Sequence, residues 1–365
     1  MNTLFSPITL GELKLANRIV IPPMDQYSAD EGRPTHWHHM HYGHLAVSGA
    51  GLLIVEATAV EPEGRISPQD LGLWSDEHED LHRRMLETIS TFSSIPIALQ
   101  IGHAGRKGST SRPWEGRGPL GQQDGGWSVC APSALPFDAA SPMPTALATA
   151  DIDRLTASFV TTAQRAMRAG YKAIELHAAH GYLMHEFLSP LSNKREDEYG
   201  GSLENRMRFP LRVFAAVRKA LPDSIPVGMR VSGTDFAPGG WDVAECAILA
   251  QELEKAGAAF IHVSGGGLSP DQQINLAPGY QVYLAQTIKQ AVTSLPVIAV
   301  GLITEPELAS GIIVSGQADM VAVGRAILYD PRWPWHAAAT LGASIADAPK
   351  QYLRCQPHKL KSLFV

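Results

Sequence analysis

Residues 171–182 read YKAIELHAAHGY. The first half, Tyr171 to Leu176, is an apolar run of strand length. The second half, His177 to Tyr182, ends that run with two histidines, a glycine and a tyrosine. A strand whose side chains are nearly all apolar is buried on both faces, which argues for a parallel sheet covered by helices. A buried strand that ends in imidazoles and a phenol points its polar end at something chemical.

The same pattern recurs along the chain. Apolar runs occupy Arg18 to Met24, Gly51 to Ala57, Ile95 to Ile101, Ile225 to Val231, Ala259 to Val263, Leu295 to Val300 and Ala318 to Val323. Helix-length segments lie between most of them, at 76–92, 152–169, 203–220, 242–256, 280–293 and 305–315. Arg165 to Gly170 reads as a basic helix end closed by glycine. Thr304 with Glu307 reads as a capping box. Eight strands with helical crossovers predict an α/β protein of a single (β/α)8 TIM barrel, residues 1–365. A doubly wound sheet is the competitor, and it should carry G-x-G-x-x-G at a strand-to-helix turn. The one match, Gly116 to Gly121, contains Pro119 and follows no strand, so it reads as chance. The stretch 102–149, after the third strand, is too long for an ordinary connection. It is expected to fold over the catalytic mouth as a cap, with a short hairpin in 128–137.

Composition narrows the function classes. Of 365 residues 45% are apolar, and 30 Lys plus Arg against 36 Asp plus Glu give a net charge of −6, which offers no basic footprint for nucleic acid. No stretch reaches the length of a membrane span. The N-terminus lacks a charged leader and apolar run, so a secretory signal is not expected. Cys130, Cys246 and Cys355 share no metal-ligand spacing and form no disulfide framework, which predicts a cytoplasmic protein.

In a barrel the C-terminal strand ends face the site. Here they carry Asp25 and Tyr27, then Glu56 to Thr58, Gln100 to Lys107, His177 to Tyr182, Arg230, Ser264 to Gly267, Gly301, and Gly324 with Arg325. The last three suggest a phosphate, because glycines let backbone N–H groups approach an anion and Arg325 can grip it. Gln100, Lys107 and Arg230 suit a planar polar head. That chemistry permits flavin mononucleotide (FMN), a phosphorylated sugar, or a pyridoxal phosphate on Lys107. His177, His180 and Asp25, with His103 nearby, could ligate a metal, or each histidine could be structural. The favoured reading is a pair of neutral imidazole donors aimed at one developing oxyanion, with Tyr182 as proton donor. The histidines of THWHHMHYGH, 35–44, lack the metalloprotease spacing and read as packing or surface residues.

These residues together carry a resemblance. NRIVIPPMDQYS, GLLIVEATAVEPEGRIS, QIGHAGRK, ELHAAHGYLMHEFLSPLSNKREDEYGGSLENRMRFPL, AVGLIT and VGRAIL resemble the old yellow enzyme family, and within it the bacterial, thermophilic-like subgroup. The resemblance implies an FMN-dependent ene-reductase that takes hydride from NADPH and reduces the activated C=C bond of unsaturated carbonyl and nitro compounds. It implies that Pro22, Pro23, Met24 and Ala57 border the flavin, with Gln100 at its pyrimidine edge and Arg230 near N1. Gly301, Gly324 and Arg325 would hold the phosphate. His177 and His180 would grip the substrate oxygen, Tyr182 would donate the proton, and Tyr27 and Lys107 would line the substrate's surroundings. The tail, about 345–365, resembles one whose arginine, here Arg354, reaches a neighbouring subunit, which implies a homodimer or a dimer of dimers. One residue departs: the subgroup places a cysteine where this chain has Asp25, beside flavin and substrate. Ionised, that carboxylate would make flavin reduction harder; protonated, it could donate to the substrate. A flavin desaturase of cyclic ketones and a nonenzymatic scaffold are the competing functions.

Overall fold

The computed structural model describes residues 3–346 and 348–364. An antiparallel hairpin, β1 (Ile8–Leu10) and β2 (Leu13–Leu15), comes first. The eight anticipated strands follow as β3 (Ile19–Ile21), β4 (Leu52–Ala59), β5 (Ile97–Gly102), β8 (Ala173–Ala178), β9 (Val227–Ser232), β10 (Phe260–Ser264), β11 (Val297–Val300) and β12 (Met320–Ala322). They close into a parallel barrel in chain order. The pair β6 (Cys130–Ala131) and β7 (Thr145–Ala146) lies in the excursion between β5 and β8. Helices α1 (His36–Ala46), α2 (Asp76–Ser90), α3 (Thr149–Ala169), α4 (Leu183–Leu188), α5 (Leu203–Ala220), α6 (Val243–Lys255), α7 (Val282–Ala291), α8 (Pro306–Val314), α9 (Arg325–Tyr329) and α10 (Trp333–Leu341) complete the chain. Among the described residues, no helix is long and apolar enough to cross a membrane.

Strand alternation sorts the core into two shells. On β4, Leu52 and Ile54 point into the barrel, whereas Leu53 and Val55 face the helices. The lower interior is apolar, filled by Val20, Leu52, Ala98, Ala173, Phe260, Ile298 and Met320. Gly228 makes room for Phe260, whose ring would lie 2.5 Å from a Cβ at that position. Leu10 and Leu15 of the hairpin join this interior cluster. Its three-residue strands are too short for their alternation to stand out in the sequence.

One step higher along the same strands the inward residues become polar. Gln100 pairs in register with Glu175, and His262 with Arg230. Gln100 Nε2 donates to Glu175 Oε1 at 2.8 Å, and His262 Nδ1 lies 2.9 Å from Glu175 Oε2. Such a buried set must satisfy itself or serve a ligand. It forms the floor of the catalytic mouth.

Two local expectations need correction. Helix α8 begins at Pro306 with Glu305 as N-cap and no capping side chain, so Thr304 and Glu307 form no capping box. Proline bars the preceding residue from helical conformation and presets its own φ, which fixes the helix start. The segment 128–137 forms no hairpin: Cys130 and Ala131 pair instead, in parallel, with Thr145 and Ala146. Pro132 and Pro136 lack the N–H groups a returning strand would contribute. Gly170 ends α3 with φ +110°, as its sequence predicts.

Candidate active site

His177 is the inward residue one turn of the pleat above Glu175, at the end of β8. Its ring centroid lies 5.3 Å from that of His180 and 5.1 Å from that of Tyr182. Burial, followed by the nearby Arg230 guanidinium, holds both imidazoles well below the usual histidine range, so both are neutral. His177 Nδ1 accepts from the Ala179 N–H at 3.4 Å, which leaves the ring proton on Nε2. His180 sits at φ +59°, a left-handed backbone held because its N–H donates to Ser232 Oγ at 2.9 Å. Its Nε2 lies 2.7 Å from Ser264 Oγ. When that hydroxyl donates to Nε2, the ring proton of His180 stays on Nδ1.

Tyr182 is the N-cap residue of α4 and is buried. Burial, then Asp25 and Tyr27, push its phenol well above the usual value, so it keeps its proton. Lys107 Nζ lies 5.0 Å from the Tyr182 ring centroid and donates to the carbonyls of His180 and Gly267 at 2.8 and 2.7 Å. Burial, followed by Arg117, lowers its pKa to about 7. Lys107 therefore clamps two loops together instead of standing free as an imine-forming amine.

Pro23, Met24, Asp25, Gln100, Lys107, His177, His180, Tyr182 and Arg230 line one cleft of about 1020 Å³. His180 and Arg230 also line an adjoining cleft with Gly265, Gly301, Gly324 and Arg325. Together they make a trough that runs from the imidazoles to the glycine turns of β11 and β12. Ala57 lines a smaller crevice behind His177 and Tyr182, and Pro22 lies beside Gly324. Tyr27, at φ +50°, meets Trp114 edge-on at 5.8 Å. Arg354 stands apart, exposed on a short 3-10 segment, Lys350–Cys355. The tail itself is anchored: Leu363 and Phe364 pack with Trp335 and Ile345.

The alternative roles of other histidines resolve locally. His103 lies 3.2 Å from Glu61 and outside the main cleft. On α1, His38 accepts from the Thr35 N–H while His36 and His44 face outward. Among the described residues, no group of three or more His, Cys, Asp or Glu is arranged to hold a metal.

The trough fits FMN. Arg230 Nε is buried without a hydrogen-bond partner, a cation awaiting an electron-rich group. Gln100 spends its amide N–H on Glu175, which leaves its carbonyl oxygen to accept. At the other end Gly301 adopts φ +129°, and a Cβ there would lie 2.7 Å from Gln281 Nε2.

The sequence matches a family model described as the NADH:flavin oxidoreductase / NADH oxidase family over residues 3–343. The chain belongs to that family. It is an oxidoreductase of the old yellow enzyme type, working with FMN and a nicotinamide nucleotide. The NADPH dehydrogenase of Geobacillus thermodenitrificans (strain NG80-2) is 43% identical over 358 residues, covering 97% of this chain and 99% of that protein. Morphinone reductase superposes with a TM-score of 0.77 at 31% identity, covering 94% of this chain and 91% of its own. A 2-naphthoyl-CoA reductase complex shares the fold with a TM-score of 0.84 at 24% identity, covering 93% of this chain and 52% of that longer chain.

In this flavin oxidoreductase, sequence reasoning missed Glu175, Ser264 as a partner of His180, Phe137, Gln272 and Arg117. Each acquires its role only from partners that are distant in the sequence. Glu175 could have been found by continuing the period-two alternation from His177, since it points the same way. Replacing Gly301 with alanine is expected to weaken FMN binding about tenfold, the cost of a strained φ together with the Gln281 contact. Flavin released on dilution, read by fluorescence, measures it; unchanged affinity would remove Gly301 from the phosphate end.

Proposed function

We propose that this FMN-dependent NADPH oxidoreductase is an ene-reductase, acting on alkenes conjugated to a carbonyl or nitro group. The observation that carries this reading is the pair of buried, neutral imidazoles facing a protonated tyrosine across one cleft. FMN, when bound, would supply the hydride chemistry that links NADPH to the β-carbon of the alkene. His177 and His180 donate to the substrate oxygen, where negative charge grows as hydride arrives. Donors already fixed in a dry site need no reorganisation at that moment. Tyr182 supplies the proton to the α-carbon, its raised pKa keeping the phenol loaded until the enolate-like charge draws on it. The cap supplied by the long excursion, through Lys107 and Phe137, walls the cleft against water.

Pro22, Pro23, Met24, Asp25 and Ala57 would border the flavin, Gln100 and Arg230 would meet its polar edge, and Gly301, Gly324 and Arg325 would hold its phosphate. Tyr27 lies within reach of the substrate side. Arg354, flanked by the exposed Tyr352 and Leu353, would reach the site of a second copy, making the working form a homodimer or a dimer of dimers. The three cysteines are free thiols, which suits the cytoplasm.

Anaerobic stopped-flow reduction by NADPH, followed by mixing with a short enone and nitroalkene panel, tests the reading. Reoxidation by these alkenes with release of the saturated product is expected. Reduction by NADPH without alkene turnover, or net oxidation of cyclohexanone in the presence of an electron acceptor, would reject it.

A further inference from the structure

Arg117 lies inside the Gly116 to Gly121 stretch, in the loop that the excursion lays over the cleft. Its guanidinium sits beside the Tyr27 phenol, whose pKa it pulls down against burial and Asp25. It lines the catalytic cleft together with Lys107, His177, His180 and Tyr182. It also lines a vestibule of about 690 Å³, bounded by Ile66, Pro119, Phe137 and Pro142. Arg117 is thus, with Lys107, Phe137 and Tyr182, among the residues that line both spaces.

Its charge is uncommitted. Among the described residues, no carboxylate forms an ion pair with Arg117, whereas the neighbouring Arg112 is paired with Glu115. Asp138 is the acid in the vestibule, and it accepts from the Ser141 hydroxyl and from two backbone N–H groups of its own turn. The other two cations of the vestibule are spent on carbonyls: Arg106 on those of Leu135, Pro136 and Leu268, and Lys107 on those of His180 and Gly267. The backbone of Arg117 has φ +55°, in the left-handed region that a long side chain enters at a cost. That strained turn places a guanidinium at the mouth of a passage whose other charged groups are already engaged.

We infer that Arg117 selects substrates, favouring activated alkenes that carry a carboxylate on a tail directed out of the cleft. The inference rests on the ene-reductase reading. An apolar spacer would lie against Phe137 and Pro142, the carboxylate would form a two-pronged contact with the guanidinium, and the alkene end would reach the imidazoles. Its place in the cleft lining, beside the Tyr27 phenol, puts the guanidinium at the mouth before substrate arrives. Arginine's planar fork suits this better than a lysine ammonium.

A cyclohexenone bearing a propanoate tail, and the methyl ester of the same compound, form the test pair. With flavin-loaded enzyme, the ratio of kcat/KM for acid over ester is expected to fall about tenfold in Arg117→Ala and by less in Arg117→Lys. Titrating acid and ester into oxidised holoenzyme, followed by the flavin absorbance, should show the same loss in affinity without turnover. Equal effects on acid and ester, or no effect on either, would overturn the inference. So would a change in the NADPH to NADH preference with the acid to ester ratio intact, because the cation would then serve the donor's phosphate. If neither compound is reduced although NADPH reduces the flavin, the ene-reductase reading fails, and the titration still decides whether Arg117 reads the carboxylate.

Discussion

Removing both imidazoles, His177→Ala with His180→Ala, is expected to slow reoxidation of the reduced enzyme by an enone about a thousandfold or more. The estimate follows from what the rings are. Both are neutral because burial and the adjacent Arg230 disfavour a second positive charge. Neutral donors hold the ground-state carbonyl weakly and the developing oxyanion strongly, so their loss falls on the rate more than on binding. Reduction by NADPH should suffer less, since no oxyanion forms in that step. FMN should stay bound, because Gln100, Arg230, Gly301 and Arg325 are untouched. A milder variant guards against misfolding. His180→Asn keeps a side-chain donor and tolerates the φ of +59° better than alanine, so it should retain more activity than His180→Ala. The clamp from Lys107 reaches the backbone carbonyl of His180 and survives every one of these changes. Reoxidation of the double variant within tenfold of the parent would reject the donor pair.

What the sequence disclosed, and what it hid, follows from the range of each interaction. The eight barrel strands and their helices were legible because hydrophobic periodicity is written locally, residue by residue. His177, His180, Gln100, Arg230, Gly301 and Arg325 were legible because the closed barrel brings all its strand ends to one rim. Hence Gln100 and Arg230, 130 positions apart, line the same cleft. The hairpin at Ile8–Leu15 was hidden by its brevity. The capping box at Thr304 failed because one proline outweighed a favourable pattern of side chains. Arg117 and Glu175 were hidden for another reason. A lone arginine in a loop and a lone glutamate in an apolar run acquire meaning only from partners distant in sequence: Tyr27 for the first, Gln100 and His262 for the second. The environment of Asp25 was hidden in the same way.

Asp25→Asn is expected to leave the flavin potential nearly unchanged in acid and to raise it above that of the parent in alkali. Burial drives the Asp25 carboxyl well above the usual carboxylate range, reinforced by Asp70 and Glu56 and opposed by Arg230 and the Ala57 N–H. Asp70 shares the pressure: its own burial raises it to about 7 although Ser67 and Ile66 donate to it. While Asp25 holds its proton it carries no charge, and the expected penalty on reduction vanishes. Above its pKa the carboxylate faces a cofactor that gains negative charge, and reduction becomes harder. A unit charge about 6 Å away at an effective dielectric near 20 contributes about 3 kcal/mol, or roughly 60 mV for a two-electron couple. The reduced flavin in turn raises the carboxyl further, so Asp25 takes up a proton on reduction between its two pKa values. Over that interval the parent's potential should fall more steeply with pH than that of Asp25→Asn. Asp25→Cys should behave like the asparagine variant wherever its thiol is neutral. Asp70→Asn should move the steep interval to lower pH, because it removes one of the charges that holds the Asp25 proton. Dye-equilibrated reductive titrations from about pH 6 to about pH 9 read all four curves. Coincident lines for the parent and Asp25→Asn across that range would mean that this carboxyl never charges beside the flavin, and would separate the Asp25 substitution from the enzyme's redox behaviour.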